Sequence, residues 1–260
     1  LLTFDPHPKK VLTGTDAELL TTVEARLRLI HGLFPQVEVC VEPFTTELAG
    51  LDPEQFARSI LKKKLDAAVV LVGQNFRFGR KRQGDLAELI RLGQELNFEA
   101  RSIALETDES GQVYSSSRIR SLVKAGDVAL VARLLGRPYA FHGKVVHGDG
   151  RGKELGFPTA NLEHIPELLP AFGIYAGRAR TADGSCHRAV LSHGPRPTVE
   201  RPVATEVYVV GFSGDLYGQV LEVELWAFLR KVLRFDSLPA LVAQIEDDVA
   251  RAAEVIEAPA

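Results

Sequence analysis

Up to about residue 136 the chain alternates short apolar runs with stretches whose apolar side chains recur every three or four residues; beyond it, short runs broken by Gly and Pro take over. In the first part Leu1–Phe4, Ala67–Val72 and Ala100–Leu105 read as strands. Between them Thr22–Leu33, Pro53–Leu65 and Asp85–Leu96 carry the period of amphipathic helices. Such alternation predicts an α/β layer on a mainly parallel sheet, a Rossmann-like nucleotide-binding domain over residues 1–136. The run Leu134-Leu135-Gly136-Arg137-Pro138 ends a short helix and marks the boundary. Strands are then expected at Ala140–His147, Gly173–Arg180, His187–Leu191, Val203–Val210 and Gln219–Leu229, which suits an antiparallel β-barrel over 137–260. One helix closes the chain, with Ser237 as N-cap and Pro239 in its first turn. Its apolar stripe, Leu238, Leu241, Val242, Ile245 and Val249, is predicted to pack on the barrel.

A length of 260 residues suits two such units, each large enough for its own core. Lys and Arg total 31 against 34 Asp and Glu, a net charge of −3 that provides no general attraction to nucleic acid or to an anionic membrane. Cys40 and Cys186 are far apart and lack metal-ligand spacing, so two buried thiols are expected rather than a disulfide framework or a zinc site. No apolar run reaches bilayer length, and a cytoplasmic protein of small-molecule chemistry is the expectation. The sequence holds no Met and opens on the strand-like Leu1-Leu2-Thr3-Phe4, so an incomplete N-terminus is also expected.

The densest chemical signal runs from His147 to Asn161. Gly148, Gly150, Gly152 and Gly156 bracket Arg151 and Lys153. Glycine lets backbone N–H groups approach a ligand unobstructed and the cations add charge, so this stretch can cradle phosphates; a plain surface loop has the same composition. Pro158 then holds Phe157 extended, and Thr159 and Asn161 follow two residues apart, on one face of a strand. Their oxygens could hold a hard cation such as Mg²⁺, which shares its ligands with water and substrate phosphates. Glu206 shares a strand face with Tyr208, opposite Val203, Val207 and Val209. A carboxylate there could accept the proton of an attacking alcohol, although a solvated glutamate fits the same spacing. Arg196-Pro197-Thr198 and Asp215-Leu216-Tyr217-Gly218 read as turns. In the first part the loop Phe76-Arg77-Phe78-Gly79 and the helix start Ser115-Ser116-Ser117, with Arg120 one turn on, are candidates for holding a triphosphate. His7 reads as a turn residue.

The run Gly156-Phe157-Pro158-Thr159-Ala160-Asn161 resembles the signature of flavokinases, and the other motifs follow in the order seen in bacterial bifunctional riboflavin kinase/FAD synthetases. The resemblance implies an FAD synthetase-like nucleotidyltransferase domain at 1–136 and a riboflavin kinase barrel at 137–260. It implies ATP, riboflavin and FMN as substrates, with Mg²⁺ as cofactor. Carried onto this chain, it makes Glu206 the base and Thr159 and Asn161 the holders of Mg·ATP, with Gly148, Gly150, Arg151, Gly152 and Lys153 covering the phosphates. Phe76, Arg77, Gly79, Ser115, Ser116, Ser117 and Arg120 become nucleotide contacts of the other half. Two departures stand out. The family's histidine motif ahead of the first strand has no counterpart, so impaired FAD synthesis is expected, and Leu191-Ser192-His193-Gly194-Pro195 carries Ser192 where the family has an amide. The alternative is a flavin- or nucleotide-binding protein that has kept recognition without turnover.

Overall fold

Residues 1–148, 150–196 and 201–256 are described by a computed structural model, except for the side chains of Arg151, Arg196, Arg201 and Pro202. They form two packing units: Leu1–Ala17 with Val23–Tyr114, and Glu18–Thr22 with Ser115 onward.

In the first unit β1 (Leu2–Asp5) leads to α1 (Pro8–Thr13), α2 (Val23–Leu33), β2 (Cys40–Pro43), α3 (Thr46–Gly50) and α4 (Pro53–Phe56). The chain continues through β3 (Val69–Gly73), α5 (Leu86–Leu96) and β4 (Glu99–Ile103). The strands pair in parallel, β1 with β2 and β3 with β4, as two two-stranded sheets rather than one continuous one. Asp52 caps α4 through a capping box with Gln55, which satisfies the free N–H groups at the helix start. The helix expected over Pro53–Leu65 is α4 followed by a π-helical stretch, Ala57–Lys64, that places Ala57, Ile60 and Leu61 in the core. Phe56, Phe78, Leu89, Leu92, Leu96 and Phe98 complete that core. His7 is the N-cap of α1, its Nδ1 accepting from Lys9 N at 3.1 Å, which is the turn role the sequence suggested. β2 was not anticipated: a four-residue strand containing Glu42 and ending on Pro43 offers little periodicity.

The second unit begins with α6 (Ser116–Ala125) and α7 (Val128–Leu135), each stopped by a glycine in the left-handed region, Gly126 at φ 79° and Gly136 at φ 67°. Six strands follow: β5 (Tyr139–Val146), then β6 (Thr159–Glu163) after the short α8 (Arg151–Glu154), β7 (Gly173–Arg180), β8 (Cys186–Arg196), β9 (Arg201–Val209) and β10 (Val220–Arg230). They close an antiparallel barrel in the order β10-β5-β6-β9-β8-β7. Alternation along each strand decides what fills it: Phe141, Leu191, Val207, Leu221, Val223 and Leu225 point inward and are almost fully buried, joined by Ile119, Val123, Val128 and Val131 from α6 and α7. β8 is longer than the expected His187–Leu191 because it continues past the apolar run to Arg196. Both cysteines are free and half-buried rather than buried.

The closing helix α9 (Leu238–Val255) has the expected cap, Ser237 Oγ accepting from Ala240 N at 3.3 Å. The predicted stripe lies on the face that turns inward, but only its C-terminal continuation packs on the barrel. Ala252 and the following Ile256 are buried against Ile174, Ala176, Val190 and Leu229 on the outside of the barrel, with Val249 partly so, whereas Leu238 is 64% exposed. Beside this packing lies an ion pair: Asp248, 2% exposed, receives Arg230 from the end of β10 through Nε at 2.9 Å and Nη2 at 2.7 Å. That contact fastens the C-terminal half of the helix beside the end of β10, while Leu241 and Ile245, nearer the N-terminus on the same side, line the cleft. Among the described residues no helix is long and apolar enough to cross a membrane.

Candidate active site

The departure of α9 from the barrel opens a cleft of about 660 Å³ between the outer face of β6, β9, β8 and β7 and the segment from Val232 to Ile245. Strand register places the chemistry on its floor. Asn161 of β6 lies opposite Glu206 of β9, which lies opposite Ser192 of β8, which lies opposite Ile174 of β7. One step along, Thr159 lies opposite Tyr208, and Tyr208 opposite Val190. Opposed residues in an antiparallel pair share a face, so all seven side chains project the same way, and all line the cleft. The alternate residues Leu191, Thr205 and Val207 are buried on the inner side. Glu206 and Tyr208 thus share a face away from Val207 and Val209, as the spacing indicated, while Val203 at the strand's start is 50% exposed.

The floor grades from polar to apolar. At the β6 end the glycine-rich segment folds over Thr159 and Asn161: Lys153 N donates to Gly150 O at 3.0 Å, and Phe157 N to Gly152 O at 2.8 Å. The open loop suggested by its composition is here a single helical turn, α8. Two of its glycines, Gly148 and Gly152, are restricted by contact. A Cβ on Gly148 would sit 2.5 Å from Asn161 Cγ, and one on Gly152 would be 3.2 Å from Thr159 Oγ1 and would collide with Phe157 O. Gly150 takes φ 73° in open space. Lys153 is exposed; Asp149 and the Arg151 side chain lie outside the described residues. At the other end Ile174, Val190, Val232, Leu233, Phe235, Leu241 and Ile245 make an apolar wall. The structure therefore brings together Gly150, Gly152, Thr159, Asn161 and Glu206, with Gly148 packed directly beneath.

Thr159, Asn161 and Glu206 offer hard oxygen donors beside a glycine turn that packs too closely on Asn161 and Phe157 to admit a Cβ at Gly148 or Gly152. This donor set fits a small divalent cation that keeps waters and shares phosphate oxygens, the habit of Mg²⁺. Among the described residues no group of three or more His, Cys, Asp or Glu side chains could hold a metal by itself.

The other candidates divide between the units. Phe76 stacks on Phe78 at 5.5 Å, Arg77 Nη1 donates to Phe76 O at 3.0 Å, and Gly79, at φ 71°, packs so closely on Pro53 that a Cβ would lie 2.8 Å from its nitrogen. Ser115 caps α6, its Oγ accepting from Arg118 N at 3.2 Å, and Ser116 and Ser117 are exposed beside it. Arg120 Nε donates to Glu18 O at 2.7 Å. This helix belongs to the barrel's packing unit although it lies before residue 136. The Asp215–Gly218 segment is a turn held by Tyr217 N donating to Asp215 Oδ1 at 2.8 Å, and Tyr217 stacks on His147 at 3.9 Å. Arg196 ends β8, while Pro197 and Thr198 lie outside the described residues. The apolar wall from Val232 to Ile245 was missed as a site feature, and Ser192, singled out in the sequence only as a departure from the family, takes a place on the floor. Register across β6, β9, β8 and β7 reveals them, and one strand's spacing does not contain it.

Comparison with known proteins places both halves of the chain in known families. Residues 135–256 match the riboflavin kinase family model, and residues 1–118 match the FAD synthetase family model. A bifunctional riboflavin kinase/FMN adenylyltransferase of Listeria monocytogenes is 32% identical over 253 residues, covering 95% of this chain and 79% of that protein. Its counterpart in Escherichia coli K12 is 34% identical over 256 residues, 98% of this chain and 81% of the relative. A crystal structure described as a macrolide-efflux protein from Streptococcus pneumoniae superposes with a TM-score of 0.83 at 27% identity, over 98% of this chain and 83% of that one. Two domain families in the expected order, and identity sustained along nearly the whole chain, establish that this protein belongs to the bifunctional riboflavin kinase/FMN adenylyltransferase family.

Proposed function

We propose that the cleft on the barrel is a riboflavin kinase site, moving the γ-phosphoryl group of ATP to the 5′-hydroxyl of riboflavin. The observation that carries this reading is the graded floor: amide and hydroxyl under a glycine turn, then a carboxylate, then an apolar wall. A phosphate donor requires the first, an alcohol acceptor the second, and an isoalloxazine ring the third. Glu206 accepts the proton of the 5′-hydroxyl as its oxygen bonds to the γ-phosphorus; the bond from that phosphorus to the β–γ bridging oxygen breaks, and ADP leaves. Thr159 and Asn161 would hold Mg²⁺, which when bound neutralises charge on the phosphates. The backbone at Gly148, Gly150 and Gly152, with Lys153, encloses the triphosphate, while Val232, Leu241 and Ile245 exclude water from the ring.

For the other half we infer the family's second step, adenylylation of FMN by ATP, with Phe76, Arg77 and Gly79 as nucleotide contacts of the first unit; the capped start of α6, Ser115, Ser116 and Ser117 with Arg120, is a separate anion-holding candidate in the second unit. The two functions divide at the glycine cap of α7, residues 1–136 and 137–260. An ATP-dependent enzyme of soluble flavins belongs in the cytoplasm. The kinase reading is tested by Glu206→Gln. FMN formation should fall by a factor on the order of 10²–10⁴, with riboflavin binding, followed by quenching of flavin fluorescence, within a few-fold of the parent. Undiminished turnover would refute Glu206 as the base.

A further inference from the structure

We propose that Ser192 determines which acceptor the kinase site takes, by hydrogen-bonding the secondary hydroxyl next to the one that reacts. This rests on the kinase reading above. Across the cleft floor the order is Ile174, Ser192, Glu206, Asn161, one residue from each of four adjacent strands, all facing the cleft. Successive strands lie about 4.8 Å apart, so the row steps from apolar to hydroxyl to carboxylate to amide at that interval. A flavin alcohol presents its groups in the same order: an apolar ring, a chain of secondary hydroxyls, then the terminal hydroxyl that receives phosphate. With the terminal oxygen at Glu206 and the ring toward Ile174, the neighbouring carbons cross Ser192. A serine hydroxyl both donates and accepts, so it can satisfy a secondary alcohol in either role.

The position of Ser192 is fixed from behind. His193, the next residue, turns inward and is 5% exposed, with Nδ1 3.0 Å from Thr205 Oγ1 and its ring edge-on to Phe172. This tie crosses from β8 to β9 one residue from the Ser192–Glu206 pair and holds the serine beside the carboxylate.

The test compares kcat/KM for riboflavin and for 4′-deoxyriboflavin in the parent, Ser192→Ala and Ser192→Thr. Their ratio does not depend on how much of a variant is folded. The parent should prefer riboflavin by roughly tenfold, the worth of one neutral hydrogen bond. Ser192→Ala should bring the ratio near one by losing activity on riboflavin alone, and Ser192→Thr, which keeps the hydroxyl, should restore the preference. An unchanged ratio in Ser192→Ala, no preference in the parent, or loss of turnover on both acceptors in both variants would each overturn the proposal. A parent chain that phosphorylates neither acceptor would overturn the kinase reading itself.

Discussion

Gly148 shows how little room the phosphate end allows. A methyl group there would lie 2.5 Å from Asn161 Cγ, so Gly148→Ala must displace the amide assigned to Mg·ATP. The variant should raise the KM for ATP and lower kcat, together at least about tenfold in kcat/KM, since small displacements of positioning groups are costly. Gly184→Ala, in the β7–β8 turn at φ 88° with open space around it, supplies the contrast: a stability loss of about 1–2 kcal/mol and unchanged kinetics. Steady-state kinetics and thermal melting of both variants separate the two effects. A second residue, His142, ties the barrel together away from the cleft. Its Nδ1 is 2.8 Å from Glu167 Oε1 and its Nε2 3.0 Å from Glu222 Oε2, while its backbone N–H donates to the other Glu167 oxygen at 3.1 Å. Hydrogen bonds donated to Glu167 and then to Glu222 raise its pKa to about 9 against the burial that lowers it. A raised folded-state pKa stabilises fully below the unfolded value near 6.5, and the contribution is lost as pH rises through about 9. The stability gap between the parent and His142→Asn should therefore be widest at pH 6 and narrow by pH 10, as measured by denaturant titration; a gap that widens with pH would contradict the clamp.

At the scale of elements, α9 both closes the barrel wall and opens the cleft, and the Arg230–Asp248 pair divides those tasks. Both charges are shielded from water, with side-chain exposures of 14% and 3%. Asp248→Ala leaves Arg230 without its carboxylate and should destabilise by about 3–5 kcal/mol, whereas replacing both partners with apolar residues should recover much of that. Thermal melting of the single and double variants checks the difference. This pair also explains what sequence reading misses in the helix. The stripe Leu238, Leu241, Val242, Ile245 and Val249 has helical period and is genuine amphipathic patterning, but part of it lines the cleft instead of the barrel. An acidic residue at one of the two buried positions of the helix is the opposite of what hydrophobic periodicity selects. Elsewhere the strand at Gln219–Leu229 was legible because buried and less buried residues alternate along most of it, whereas Gly173–Arg180 is buried on both faces over its first five residues and reads as an unbroken run between turns. β6 was legible only as an extended Thr-Ala-Asn, since five residues carry too short a period. Thr159, Asn161 and Glu206 could each be singled out as candidates from the sequence, but their meeting on one floor could not, because which strand lies opposite which is a property of the closed barrel.

On the scale of the whole molecule, the chain passes between its packing units more than once: Glu18–Thr22 joins the barrel unit before Val23 returns to the first. Leu168 N donates to Leu19 O at 2.8 Å, and Arg120 and Lys124 both engage Glu18, so this short segment is held within the second unit. Packing thus extends the barrel unit back to Ser115 and takes in α6 and α7, whereas the proposed functional division falls at 136. Ile119, Val123, Val128 and Val131 are buried in the barrel's core, at about 1.5–3 kcal/mol each. A fragment of 137–260 forfeits an amount comparable with the whole stability of a domain, so it should melt well below a fragment of 115–260, as circular dichroism can record. The central claim is that the cleft on the barrel's outer wall makes FMN. Its most direct test is incubation of the full chain with riboflavin, ATP and Mg²⁺, with riboflavin, FMN and FAD separated by chromatography over time and Glu206→Gln run alongside. The account predicts FMN accumulating at the expense of riboflavin in the parent and almost none in the variant; no FMN from a folded parent, or equal FMN from both, would contradict it.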